Sequence, residues 1–135
     1  MNIGRLEMVQ RRAARFVTNR FHNRSSAIDM LEHLNWETLE SRRTKAQLLM
    51  LFKIINGLVD IPQEQYLAPS PRYHALGGKK FNQKHGFTTL YLNSFFPCTI
   101  AAWNKLPTTT AETSSLVCFK PAILYVNSML FMCST

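Results

Sequence analysis

Leu6, Val9, Ala13, Phe16 and Val17 recur at three- and four-residue spacing. At about 100° per residue they fall on one stripe of a helix. Arg5, Arg11, Arg12 and Arg15 fall on the opposite side. The pattern predicts an amphipathic helix over roughly residues 3 to 20, with a dry face turned inward and a basic face turned to solvent. The run NRSS ends it. Ser25 or Ser26 can then cap a short second helix, with Ile28, Leu31 and Leu34 facing inward.

The stretch NWETLESRRTKAQLLMLFKIING gives the strongest helical signal. Asn35 or Thr38 can cap its start, and Gly57 sits where a left-handed residue closes a helix. Its first half is basic, with Arg42, Arg43 and Lys45. Its second half, LLMLFKII, is apolar nearly all round and is expected at the centre of the core, with the Lys53 amine reaching outward. The text then changes. IPQEQYLAPSPRYHALGGKKFNQKHG carries three prolines and three glycines and reads as an extended basic loop. FTTLYLNSFF predicts a short strand or hairpin around Phe87 to Leu92. SFFPCTIAAWNKL returns to helical spacing, with Ser94 as cap, Phe96, Ile100 and Trp103 on one face, and Pro107 beyond the end. After the polar linker TTTAETSS, SLVCFK starts a last helix that Pro121 should stop or kink. Trp36 and Trp103 are expected as core anchors.

The chain therefore reads as a mainly α fold, a small helical domain of three to five helices with a long Pro/Gly-containing loop and at most a minor strand or hairpin. Its segments are a basic helical part (1–59), a basic loop (60–86), an aromatic strand and helix part (87–120) and an apolar tail (121–135). With 135 residues, 46% of them hydrophobic and 11% aromatic, it can build a core.

Charge narrows the partners. Sixteen Lys and Arg against eight Asp and Glu leave +8, with a pI near 9.8. That excess suits a polyanion, either nucleic acid or an anionic membrane surface. Cys98, Cys118 and Cys133 lie far apart, with no CxxC pair and an odd count, which points to a reducing compartment. MNIGRLEMVQRR has no apolar core of a secretory signal. Lys120, Pro121 and Asn127 interrupt the apolar tail, so a spanning helix is not expected there. The expected setting is intracellular, nuclear or cytoplasmic, without a membrane partner.

Catalytic constellations are missing. ALGGKK lacks the spacing of a phosphate loop. Asp29 and Asp60 are the only aspartates and form no metal-holding pair. His22, His33, His74 and His85 are scattered without zinc-ligand spacing. Cys98 with His85 is the one conceivable nucleophile pair, and it rests on two lone residues. No catalytic residue, metal or cofactor is expected. What remains are basic surfaces: Arg5, Arg11, Arg12 and Arg15, then Arg42, Arg43 and Lys45, then Lys79, Lys80 and Lys84 near Tyr73 and Phe81. Cations interleaved with aromatics suit RNA or single strands, whose bases can stack. The alternative is a set of solvated faces that keep the helices soluble.

Three pieces read in order, LEMVQRRAARFVTNRF, MLEHLNWETLESRRTKAQLLMLFKIINGLVDIP and LYLNSFFPCTIAAWNKLP, resemble the extreme C-terminal region of non-LTR retrotransposon reverse transcriptases of jockey-like and related animal elements. The resemblance covers roughly residues 5 to 120. It implies a post-palm, thumb-like piece that grips template RNA or primer duplex and works beside upstream polymerase domains. Two departures stand out. The family's usual Arg in the third motif is Cys98 here, and the apolar tail after Pro121 is unlike the family. The Tyr-x-Asp-Asp turn that holds catalytic metals is absent from this sequence, so the resemblance implies a non-catalytic fragment, with Met1 at an internal methionine.

Two functions follow as alternatives. In one, the arginine face lies along a phosphate backbone, and Leu6, Val9, Ala13 and Phe16 pack on the helices behind. In the other, the apolar stripe docks on the missing palm domain and the arginines only face water. A third, peripheral membrane attachment through the basic helix or the apolar tail, would need binding to liposomes.

Overall fold

The computed structural model describes residues 3–21, 26–71, 79–83, 85–86 and 88–132. His22, Tyr73, His74, Lys84, Phe87 and Cys133 lie outside them. The described residues form eight helices and no strand: α1 (Ile3–Thr18), α2 (Ala27–His33), α3 (Leu39–Ile55), α4 (Gln63–Tyr66), α5 (Thr89–Leu92), α6 (Phe95–Asn104), α7 (Thr108–Ala111) and α8 (Leu116–Met132). The mainly helical class is as expected. Among the described residues the one β feature is an isolated antiparallel bridge between Pro69 and Phe81. The strand expected up to Leu92 is instead the single turn α5, because the Thr88 hydroxyl accepts from the Tyr91 N–H at 3.3 Å and caps a helix start.

Three helices close in the same way. Asn19, Asn35 and Gly57 adopt φ of 52°, 54° and 66°. Each places two N–H groups on the last carbonyls: Asn19 to Phe16 and Arg20 to Arg15, Asn35 to Glu32 and Trp36 to Leu31, Gly57 to Ile54 and Leu58 to Lys53. This is the double closure expected of a left-handed residue after a helix, and asparagine is the non-glycine residue that tolerates it best. Gly57 serves as expected. Asn35 does not cap α3; it ends α2, and the Thr38 hydroxyl caps α3 by accepting from the Ser41 N–H at 3.2 Å.

The chain divides into two units, Met1–Arg43 and Thr44–Thr135. The first is built on α1 and α2, and it corrects the expected orientation of α1. Ala14 is fully buried, and Glu7, Gln10 and Thr18 are half-buried, so α1 packs along the line Glu7–Gln10–Ala14–Thr18. Small Ala14 lets α2 approach with Met30, which is also fully buried. The Thr18 hydroxyl donates to the Ala14 carbonyl at 2.7 Å, and Glu7 Oε1 accepts from the Glu40 N–H at 3.1 Å in the first turn of α3. The apolar stripe is outside: Val9 is 62% exposed, Phe16 77% and Val17 57%. In α2 the inward residues are Met30 and Leu31, and Ile28 is exposed.

Exposure makes this testable by stability. The double variant Val9→Ser/Phe16→Ser is expected to stay within about 0.5 kcal/mol of the parent, as surface changes do. Ala14→Leu should cost about 1–3 kcal/mol by overpacking the seam. Urea denaturation of both variants reads the difference. A loss of several kcal/mol in the serine pair would mean that the stripe is core.

In the second unit, Leu48, Leu51, Phe52 and Ile54 of α3 are buried among Leu67, Ile100, Trp103, Leu106, Phe119 and Ile123. This is the central placement expected of LLMLFKII. The Phe52 and Phe119 rings stack at 4.3 Å between centroids, and Trp103 lies 5.6 Å from Phe119. Pro97 is tolerated early in α6, where its missing N–H would have had no helical partner. Pro121 does not end the last helix. It sits inside α8 between buried Phe119 and Ile123. One lost ladder bond is outweighed by apolar burial on both sides of it.

The Pro/Gly-rich segment is tied to this core. Trp103 Nε1 donates to the Lys79 carbonyl at 2.9 Å. The Asn104 carboxamide both donates to the Phe81 carbonyl (2.9 Å) and accepts from the Phe81 N–H (3.1 Å). Leu67 is buried, and Tyr66 stacks on Phe96 at 4.3 Å.

Candidate nucleic-acid interface

Around the axis of α1 the residues fall into three arcs at about 100° per residue. The first is the packed seam Glu7–Gln10–Ala14–Thr18. Next come Arg11 and Arg15, then Arg12 and Arg5. The apolar stripe completes the circle. Only the seam is covered; Arg5, Arg11, Arg12 and Arg15 are all exposed. The one acid of α1, Glu7, is turned to the backbone of α3, so it does not sit among the guanidinium groups. The four arginines thus form an open cationic surface about three helical turns long, with the planar, multi-donor heads that suit phosphate oxygens.

The second cluster is divided. Arg42 is exposed and Arg43 half-buried, and both belong to the first unit. Lys45 is half-buried in the second unit and has an interaction of its own. Of the third cluster, Lys79 is exposed, with its carbonyl fixed by Trp103. Lys80 is half-buried and also engaged, and Lys84 lies outside the described residues. The first unit holds eight arginines, no lysine and five acids, a net +3, and the second unit holds +5.

Trp36 contradicts the expectation of a core anchor. It is 39% exposed, whereas Trp103 is 1% exposed. The turn after α2 spends the Trp36 N–H on Leu31 at 2.8 Å, and the indole sits in the short connection between α2 and α3. There Gln10, Asn35, Trp36, Glu37 and Arg42 line an open cleft of about 400 Å³. Sequence reasoning missed this cleft because a tryptophan before a helix is more often buried. The signal was present in Asn35, a residue suited to a left-handed turn, directly before Trp36.

Cys98 and Cys118 are exposed free thiols. Position 98 therefore belongs to the surface and not to the core. Among the described residues no group of three His, Cys, Asp or Glu is placed to hold a metal ion, and no helix is long and apolar enough to cross a membrane. Comparison with known proteins finds no family model, no curated protein and no solved structure that matches this chain.

Proposed function

We propose that this chain is the non-catalytic C-terminal, post-palm part of a non-LTR retrotransposon reverse transcriptase, and that it holds RNA or DNA by the phosphate backbone. The ordered resemblance of three motifs supports the family. The observation that carries the binding role is the open arc of Arg5, Arg11, Arg12 and Arg15, with Glu7 turned away from it. Such a surface neutralises phosphates without reading bases, so binding is electrostatic and little selective for sequence. The chain works without a cofactor, beside the upstream polymerase domains, in the nucleus or cytoplasm where template RNA is met.

A second reading has its own support. The exposed stripe of Val9, Phe16 and Val17 is an apolar face with no cover inside its unit. In that reading the stripe docks on the palm domain and the arginines have no ligand.

Paired variants separate the two. Full-length chain carrying Arg11→Glu, Arg12→Glu and Arg15→Glu is titrated against a labelled RNA, beside the Val9→Ser/Phe16→Ser variant. Backbone binding predicts that the arginine variant loses affinity and the serine variant keeps it, both with parental helicity. Unchanged RNA binding by the arginine variant would overturn the first reading.

A further inference from the structure

We propose that the Trp36 cleft takes one unpaired nucleobase, stacked on the indole, with the adjoining phosphate on Arg42. The inference rests on the nucleic-acid reading above and adds a base-holding site to it. The cleft, about 400 Å³, falls within the range of small-molecule sites, roughly 300 to 1,000 Å³. Its walls match the parts of a nucleotide. Trp36 offers a flat aromatic face that is partly open. Arg42 is exposed, and Asn35 and Gln10 bring carboxamides, groups that pair with base edges.

The platform is held on two sides. The Trp36 N–H is fixed to Leu31, and the Gln10 Nε2 donates to the Glu37 carbonyl at 2.7 Å. Holding the loop in advance reduces the ordering cost of binding. Gln10 also carries an unmet demand, since its carboxamide oxygen is buried without a hydrogen-bond partner. An acceptor buried in this way is costly until a donor reaches it. A protein partner is a poorer fit: the cleft is small and lies in an arginine-rich unit.

The test uses a pair of ligands and two readouts: intrinsic fluorescence for stacking, and the anisotropy of labelled strands for affinity. The full chain is titrated with a single-stranded oligothymidylate and with an abasic oligonucleotide of the same length and charge. Trp103 is buried, so quenching reports on Trp36. Stacking predicts quenching by the oligothymidylate alone, and about tenfold tighter binding of it than of the abasic strand. Trp36→Ala should abolish that tenfold preference and keep abasic affinity, while Trp36→Phe keeps most of the preference. Equal binding of both strands without quenching overturns the base site and leaves backbone binding standing. Binding of neither strand overturns both.

Discussion

Trp103→Ala is expected to unfold the second unit at a temperature where the parent is fully folded. The indole is 1% exposed and packs between Phe119 at 5.6 Å and Phe81 at 6.5 Å, so truncation opens a large cavity. It also removes the donor to the Lys79 carbonyl, and with it one of the ties on the Pro/Gly-rich segment. Changes of this kind cost about 3–5 kcal/mol, a large part of the stability of a small domain. The fall in Tm should be roughly 20 °C. Trp103→Phe is the milder control: it keeps one ring in the core and loses the N–H with part of the ring volume, at about 1–3 kcal/mol for the carbonyl left unpaired plus a smaller cavity cost than alanine. Melting followed by circular dichroism reads both. Equal, small losses would mean that Trp103 is not the centre of the core.

The second large effect is on binding. Reversing Arg11, Arg12 and Arg15 removes three exposed cations and places three anions on the same arc. Each phosphate contact contributes close to one unit of slope in a plot of log affinity against log salt, about 0.9 for duplex and 0.7 for single strands. The variant should therefore lose about two to three units of slope. It should bind RNA at least about a hundredfold more weakly near physiological salt. None of the three side chains is buried, so helix content should not change. Loss of binding together with loss of helicity would make the arginines structural instead.

Much of this fold can be read along the chain where local chemistry and packing agree. LLMLFKII is apolar nearly all round, with Lys53 its one charge, so almost any orientation puts most of it in the core. Gly57 and Thr38 act through their own backbone and hydroxyl, without help from distant residues. Phe96, Ile100 and Trp103 share a face that is covered as expected.

Packing against residues distant in sequence decided most of the departures; Trp36 is the exception, placed by its own neighbour Asn35. Hydrophobicity alone turns α1 inward by Val9 and Phe16, yet the seam goes to small Ala14 because Met30 needs close approach there. Pro121 argues locally against a helix, but Phe119 and Ile123 are both held in the core and carry α8 across it. Trp36 argues for burial until the left-handed Asn35 puts it in the connection between α2 and α3. The basic loop has no core of its own. Trp103 and Asn104, more than twenty residues further on, hold it to one.

For the interface, the sequence marked three groups of cations but not which of them stay open. The arginines of α1 do, while Lys45 and Lys80 have other engagements. The most direct measurement is the affinity of the full chain for a labelled single-stranded RNA by fluorescence anisotropy between about 50 and 200 mM salt. Backbone binding by the α1 arginines predicts a linear fall of log affinity with log salt, with a slope near −3 for four single-strand contacts. An affinity that stays flat across that range, or no measurable binding at the lowest salt, would contradict it.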